Sequence, residues 1–194
     1  MLAPCPGDLP GIRLAGIPAL SRLLGAEEAI GKIAARCIGA EARPVRALLF
    51  DKSPAVNWAL GWHQDRVIAV ERRIDVAGFG PWTIKKGLVH VGPPFEILAR
   101  MLTLRVHLDP VPLANAPLLI APGTHRAVVR EDLIAAEVDR KGVVTCIAET
   151  GDVWLYATPI LHASDAAEVP ARRRVLQIDY AAFDLPGGLA WLGV

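Results

Sequence analysis

Three side chains of this sequence could together hold a metal ion. His63 and Asp65 lie two residues apart in Trp62-His63-Gln64-Asp65, and His162 lies far downstream. Two imidazoles and one carboxylate on one face of an octahedron are the donor set of non-haem Fe(II) sites. They leave the other positions open for a cosubstrate and dioxygen. The combination predicts oxidative metal chemistry.

A second His-x-Asp, His107-Leu108-Asp109, competes with the first. Positions i and i+2 of a strand face the same side, so either pair could converge on one ion. The first pair leads into the apolar run Val67–Val70, which predicts that it lies at a strand start on the rim of a sheet. The second is closed at once by Pro110, and its polar face could line a cavity without holding metal.

The surroundings of His162 add a further feature. A histidine among apolar residues is usually buried and satisfied, but an arginine run, Arg172-Arg173-Arg174, follows and leads into the strand-like Val175–Tyr180. Such a run is usually solvated. Neighbouring strand residues face opposite sides, however, so we expect at least one arginine to point inward and to need an anion. A dicarboxylate such as 2-oxoglutarate beside iron would supply one.

The elements that must position these residues are mostly short strands. Apolar β-type runs are separated by Pro, Gly, Asn and Asp, which is typical of antiparallel sheets. The predicted strands are Arg46–Phe50, Val67–Arg72, Leu102–Leu108, Leu118–Ile120, Val143–Ile147, Val153–Tyr156 and Arg174–Ala181. Many short strands with few helices favour a sandwich or barrel such as a jelly roll.

Helical periodicity is confined to a few segments. An apolar stripe from Leu23 to Cys37 predicts one leading helix, with Ser21 as its N-cap. Shorter helices are expected near Pro94–Met101 and Arg130–Arg140. The length favours a single domain over 1–194, in which residues 1–44 form a lead-in and packing helix and residues 45–182 form the core.

Composition narrows the class of protein. The chain is 53% hydrophobic, yet no run approaches the roughly 20 apolar residues of a membrane helix. A formal charge of +1 gives no reason to expect nucleic-acid or membrane partners. The three scattered cysteines are read as reduced, and the N-terminus has neither a basic start nor an apolar core. We therefore expect a cytoplasmic protein with a small-molecule substrate, and the oligomeric state stays open.

Five motifs in order resemble the phytanoyl-CoA dioxygenase family of Fe(II)/2-oxoglutarate oxygenases, over about residues 45–182. They are Trp62–Asp65, Leu104–Asp109, Ala121–Arg126, His162–Ser164 and Arg173–Leu176. The resemblance implies a mainly β double-stranded β-helix (a cupin-like jelly roll), with the leading helix and one or two further helices.

Residue by residue, the resemblance implies His63, Asp65 and His162 as the iron ligands, in preference to the second His-x-Asp. It implies Arg173, eleven residues after His162, as the partner of the distal carboxylate of 2-oxoglutarate. The further expected cosubstrate or pocket contacts are Ser164, Gln64, Arg105, Lys52 and Asn57.

The implied activity is that of an Fe(II)- and 2-oxoglutarate-dependent dioxygenase, which uses O2 to hydroxylate an unidentified small molecule. Halogenating relatives carry a small residue in place of the carboxylate, so Asp65 favours hydroxylation. Two alternatives stay open. One is a cupin-type metalloenzyme that does not use 2-oxoglutarate, whose site would have no following arginine. The other is a non-catalytic jelly-roll protein that binds a ligand.

Overall fold

A computed structural model describes residues 11–194 of the chain. Its strands, numbered in chain order, form three antiparallel sheets. The large sheet has the spatial order β1 (Ile12–Leu14), β2 (Arg43–Lys52), β12 (Arg173–Ala181), β7 (Leu102–His107) and β10 (Val153–Ala157). The second sheet has the order β3 (Leu60–His63), β11 (His162–Ser164), β8 (Leu118–Ile120) and β9 (Val144–Cys146). A small sheet follows the order β4 (Ile68–Val70), β6 (Leu88–Val91) and β5 (Trp82–Lys85).

Alternation along the large sheet separates a core from a pocket. The side chains on one face are apolar and pack beneath the helices α1 (Pro18–Leu23) and α2 (Ala29–Ile38), and this cluster includes Leu49, Leu104 and Ile178. The Tyr180 hydroxyl donates a hydrogen bond to the carbonyl of Leu24 (2.9 Å), which ties the helices to β12. On the opposite face, every second residue is turned toward a pocket, and the polar residues there include Arg46, Arg105, Arg173 and Gln177.

One row of residues crosses this polar face at the level of the pocket. Arg13 of β1 lies opposite Leu48, Leu48 opposite Gln177, Gln177 opposite Arg105, and Arg105 opposite Trp154. Residues on β12 and β7 that are far apart in the chain are therefore brought together by strand register alone.

The predicted mainly β jelly roll is confirmed by these sheets. All seven predicted strands are present, and β8 has the predicted ends. The strands β1, β3, β5, β6 and β11 were not predicted. Of the lead-in, residues 1–10 lie outside the described part of the chain, and residues 12–14 form β1.

The prediction of one leading helix from Leu23 to Cys37 was wrong, because the chain forms α1 and α2 with a turn between them. Gly31 explains the break. A Cβ at Gly31 would lie 1.9 Å from the carbonyl oxygen of Gly25, so α2 packs directly on the backbone of the turn. Ser21 lies inside α1 and is not a cap; the residue before α2 is Glu28.

The remaining helices are α3 (Phe95–Ala99), α4 (Ile134–Lys141) and the short 3₁₀ helices Leu113–Asn115, Thr124–Arg126 and Glu131–Leu133. Both further predicted helices are present, and the 3₁₀ helices Leu113–Asn115 and Thr124–Arg126 were not predicted. Cys37 and Cys146 are free thiols, while Cys5 lies outside the described residues. Among the described helices, none is long and apolar enough to cross a membrane.

Candidate metal and cosubstrate site

The three predicted metal ligands converge between the two larger sheets. His63 ends β3, His162 begins β11, and the two residues lie opposite each other in the antiparallel pair. Their ring centroids are 4.3 Å apart. Candidate donor atoms of His63, Asp65 and His162 all lie within 4.8 Å of one another, close enough to share one ion.

Backbone carbonyls orient both imidazoles. The Nδ1 of His63 lies 2.8 Å from the carbonyl oxygen of Gly61, and the Nδ1 of His162 lies 3.0 Å from that of Ile160. With the proton on Nδ1, each ring donates to the carbonyl and keeps the Nε2 lone pair for a metal. Burial lowers the pKa of His162 to about 4, against the opposing effect of Asp65, so its ring is neutral at pH 7 as a ligand must be.

Hydrogen-bond donors at one carboxylate oxygen keep Asp65 ionised. Its Oδ2 accepts hydrogen bonds from the Nη2 of Arg46 (2.9 Å) and the Nε2 of Gln177 (3.4 Å). Burial by itself raises the pKa of Asp65, but Arg46 and the two histidines outweigh it and bring the pKa to about 2. The predicted strand start was wrong here, since Asp65 follows the end of β3.

Arg46 and Asp179 form a buried support for Asp65 that the sequence analysis missed. The Nε of Arg46 donates to Oδ2 of Asp179, whose Oδ1 accepts a hydrogen bond from the Thr103 hydroxyl (2.9 Å). Asp65 therefore shares one guanidinium with a carboxylate that is 1% exposed. The available signal was a charged residue at an inward position of each of two apolar strands.

A cluster of cations lies at the other end of the pocket. Arg173 is buried and lies opposite Lys52 in the β12–β2 pair. Its guanidinium donates to the carbonyls of Asn115 (3.2 Å) and Ala116, and to the Ser164 hydroxyl (3.4 Å). The Lys52 ammonium donates to the same hydroxyl (3.4 Å), so Ser164 lies between the two cations.

The cations of this cluster destabilise one another's charge. Burial, then Arg173 and Arg105, lower the pKa of Lys52 to about 7, with only Asp165 acting in the opposite sense. Burial and Arg105 lower the pKa of Arg173 to about 10. Buried cations in this state gain from a bound anion. The cluster is therefore suited to a carboxylate ligand.

One pocket of about 160 Å³ contains most of the predicted site. Its lining includes the three metal-ligand candidates and four of the six predicted cosubstrate or pocket contacts. These residues are His63, Asp65, His162, Lys52, Arg105, Ser164 and Arg173. The residues Gln64 and Asn57 are not part of the lining.

Gln64 is turned away from the pocket and stabilises the backbone behind it. Its amide nitrogen donates to the carbonyls of Thr124 (3.2 Å), Ala127 (3.0 Å) and Pro159 (2.7 Å). Its Oε1 accepts from the backbone N–H of Val129 (2.9 Å). The structure thus does not support Gln64 as a cosubstrate contact, because its amide is already engaged on the opposite side.

Asn57 is exposed and joins two loops. Its amide nitrogen donates to the carbonyl of Ala167 (3.0 Å), and its Oδ1 accepts from the N–H of the same residue (2.7 Å). The prediction of a pocket role for Asn57 is therefore not supported by its position. Trp58, one residue on, does line the pocket, and its ring centroid lies 4.3 Å from the Lys52 ammonium.

The second His-x-Asp is not assembled into a metal-binding group. His107 is buried, and within residues 11–194 neither ring nitrogen has a hydrogen-bond partner. Asp109 instead accepts from the backbone N–H (2.8 Å), Nε (2.8 Å) and Nη2 (2.7 Å) of Arg174. Its carboxylate is fully occupied by that ion pair.

Comparisons with known proteins agree with this geometry. The family model described as phytanoyl-CoA dioxygenase (PhyH) matches residues 22–175. A comparison with curated proteins found no match.

Solved structures share the fold. EctD from S. alaskensis, crystallised with 2-oxoglutarate and 5-hydroxyectoine, is 22% identical and aligns with a TM-score of 0.65 over 89% of this chain and 56% of its own. HygX from Streptomyces hygroscopicus, crystallised with nickel and 2-oxoglutarate, is 16% identical with a TM-score of 0.57, over 91% of this chain and 72% of its own. The chain thus spans little more than half the length of EctD, and at these identities the likeness shows the fold alone.

Proposed function

The chain belongs to the phytanoyl-CoA dioxygenase family, and from this premise we propose that it is an Fe(II)- and 2-oxoglutarate-dependent dioxygenase that hydroxylates a small organic substrate. One observation carries the proposal: the group His63, Asp65 and His162 shares a pocket with the buried cation Arg173. A metal site alone would fit many enzymes, and the cation supplies the second half of a chelating dicarboxylate site.

The donor set fits ferrous iron. Two imidazoles, each with its Nδ1 beside a backbone carbonyl, and one carboxylate converge closely enough to share an ion, and Asp65 is held through Oδ2, so its Oδ1 is available. Two histidines and one carboxylate with open positions are typical of Fe(II) oxygenases, whereas structural zinc sites are closed by four ligands. When bound, iron with 2-oxoglutarate would supply an oxidant generated from dioxygen.

The protein's own contribution is orientation. Arg173 binds the distal carboxylate through charge-assisted hydrogen bonds, and Ser164 and Lys52 offer further donors beside it. Arg46 fixes the rotamer of Asp65 and keeps it ionised. Apolar residues of the lining, among them Phe50, exclude water from the space in front of the metal ligands.

Hydroxylation is supported by Asp65. The resemblance aligns its carboxylate with the position at which halogenating relatives carry a small residue to make room for halide. Other members of the same fold perform different reactions, since the solved relative SnoK, 18% identical, is described as a non-heme alpha ketoglutarate dependent carbocyclase. We therefore propose hydroxylation as the outcome of the reaction, and this proposal is separate from the proposal that the chain uses iron and 2-oxoglutarate.

An anaerobic titration tests the cosubstrate. Purified protein with Fe(II) and 2-oxoglutarate should develop a weak visible charge-transfer band, because the keto-acid end chelates the metal. Fe(II) with succinate is the matched control, since succinate lacks the keto group and should give no band. If saturating 2-oxoglutarate produces no band, the protein does not use this cosubstrate, and a different metalloenzyme or a ligand-binding role takes its place.

A further inference from the structure

We propose that Arg13 and Lys85 form an anion-binding subsite that holds a carboxylate or another compact oxyanion of the molecule being oxidised. The inference rests on the proposed function, because it names the substrate class for the same pocket. The two residues come from β1 and β5, outside the strands that carry the metal ligands and Arg173.

Strand register directs Arg13 into the pocket. Its neighbours Ile12 and Leu14 pack with the apolar cluster beneath the helices, so Arg13 between them must face the other side of β1. It lies opposite Leu48, another lining residue. Lys85 ends β5 and reaches the same pocket from the small sheet.

These cations are separate from the cluster at Arg173. Arg173 lies opposite Lys52, and Arg13 lies opposite Leu48, four residues earlier on β2. At a rise of about 3.3 Å per residue, the two levels are roughly 13 Å apart along the strand. A carboxylate held by Arg173 therefore does not serve Arg13.

The pocket carries far more positive than negative charge. Asp65 is its one lining carboxylate among the described residues, and it is already paired with Arg46. The lining cations are Arg13, Arg46, Lys52, Lys85, Arg105 and Arg173. Asp65 offsets the pKa lowering of Arg13 and Lys85 only in part, so with one anion assigned to the Arg173 end, a second anion at the Arg13 end would bring the lining closer to charge balance.

Arg13 lacks a partner of its own. Its Nε is buried and has no hydrogen-bond partner within residues 11–194. Burial, followed by Arg46, lowers the pKa of Arg13, while burial, followed by Arg13 and Arg46, lowers that of Lys85. The two cations thus repel each other in a partly dry site, and an oxyanion between them would relieve both effects.

The space next to this subsite is apolar. Leu48, which lies opposite Arg13, and Val67 are apolar residues of the same lining, so the portion of the ligand beyond the anion would be hydrocarbon. A small acid with an aliphatic or ring portion fits, with its charge at Arg13 and a C–H directed toward the metal ligands. A cationic substrate is disfavoured by repulsion from both sides.

Anion binding to the metal-free protein tests the subsite independently of turnover. In an Arg173→Ala background, which weakens the other anion site, acetate and inorganic phosphate are titrated while the Arg13 Nε–H resonance is followed by NMR. We expect saturable shifts, with Lys85→Gln weakening binding by roughly tenfold, because one charge-assisted contact is lost. Tighter binding of acetate would indicate a carboxylate ligand, and tighter binding of inorganic phosphate would indicate a phosphate ligand.

Lys86→Gln is the matched control, since Lys86 is exposed in the same turn and outside the pocket lining. It should leave the affinity for both probes unchanged. Equal weakening by Lys86→Gln and Lys85→Gln, or shifts that do not saturate, would overturn the subsite. The Fe(II)/2-oxoglutarate band is measured on the wild-type protein and would be unaffected by that failure.

A paired substrate screen gives the functional readout. Small acids and their matching primary amides are compared for stimulation of succinate release. The acids should stimulate and the amides should not, and Arg13→Gln should abolish the preference while the Fe(II)/2-oxoglutarate band persists. Equal stimulation by amides contradicts the inference, whereas absence of the band in the wild type contradicts the proposed function instead.

Discussion

The two His-x-Asp motifs have the same spacing and opposite fates. At His63 and Asp65 both side chains turn toward one point, where His162 meets them from the neighbouring strand. At the end of β7, His107 is buried with no hydrogen-bond partner in the described part of the chain, and Asp109 is paired with Arg174. The motif alone does not make a site.

The difference lies in what each motif faces. The residue opposite His63 is a histidine, whereas the residue opposite His107 on β12 is Val175, which offers no third ligand. Behind Asp65 stands Arg46, which shares its charge with Asp179, while the arginine at Asp109 occupies the carboxylate from several directions. A metal site therefore needs a cross-strand ligand and a cation that leaves one carboxylate oxygen free.

The most direct test of this difference between the two motifs is to remove each carboxylate in turn. Asp65→Ala should abolish Fe(II) binding and 2-oxoglutarate turnover. Residues that merely orient a ligand are worth about 10–100-fold, so losing the ligand should cost more than ~100-fold. Anaerobic Fe(II) titration and succinate release measure the loss.

Asp109→Ala is the matched variant for that experiment. It should leave iron affinity unchanged and lower the free energy of unfolding by about 0–1 kcal/mol, because its partner Arg174 is 37% exposed and such pairs are weak. Loss of iron from this variant would mean that the wrong motif has been chosen.

The neighbouring arginines extend the comparison to the cosubstrate. Arg173→Ala should weaken 2-oxoglutarate binding by about 10–100-fold, since a charged hydrogen-bond partner contributes about 1.5–3 kcal/mol. Arg174→Ala should leave the affinity unchanged, because that side chain is engaged by Asp109. The Kd of 2-oxoglutarate under anaerobic conditions decides, and equal effects of the two variants would remove Arg173 from the site.

A smaller effect is expected from pH. The Lys52 pKa is lowered to about 7, so Lys52 loses its positive charge as pH rises through that value. Because an anion binds the protonated form better, 2-oxoglutarate affinity should fall between about pH 6.5 and 8.5, by at most about tenfold per unit for one proton. Lys52→Met should bind more weakly and lose this pH dependence, while Lys86→Met should keep it. An identical slope in Lys52→Met would assign the titration to another group.

The smallest effect is expected at the second histidine. His107→Leu should leave iron binding intact and change the free energy of unfolding by less than about 1.5 kcal/mol, since a buried polar ring without partners is replaced by an apolar side chain of similar size. Thermal unfolding and Fe(II) titration check this. His162→Leu, which makes the same exchange inside the site, should lose the metal.

Much of the fold followed from local patterns. Strands such as β7 and β12 alternate between a core face and a polar face, and that alternation is visible along the chain. The strands β1 and β11 contain a charged or polar residue among only three, so neither forms an apolar run like that of the equally short β8. The break between α1 and α2 depends on contact between Gly31 and Gly25, which only the folded chain reveals.

The site was predictable where a motif and a resemblance coincided. The group His63, Asp65 and His162 and the inward position of Arg173 were expected, and the structure brings them together. Gln64 was misplaced because its neighbours in sequence face the pocket and it does not. The charged residues Arg46 and Asp179 on apolar strands were a signal, but their pairing follows from the register between β2 and β12, and the contact of Arg46 with Asp65 follows from the folded chain.

The three-residue strand β1 contributes to the pocket separately from the strands that carry the metal-ligand candidates. Among residues 11–194 it pairs with β2 alone, and it carries Arg13 without carrying any part of the metal group. If the proposed function holds, the strands that carry the metal ligands can stay constant while position 13 varies, so substitutions at Arg13 alone could change which substrate is accepted, with Ile12 and Leu14 kept for the core. A shift of one residue in the pairing of β1 would turn Arg13 out of the pocket. Substrate choice would then be evolvable at low risk to the chemistry.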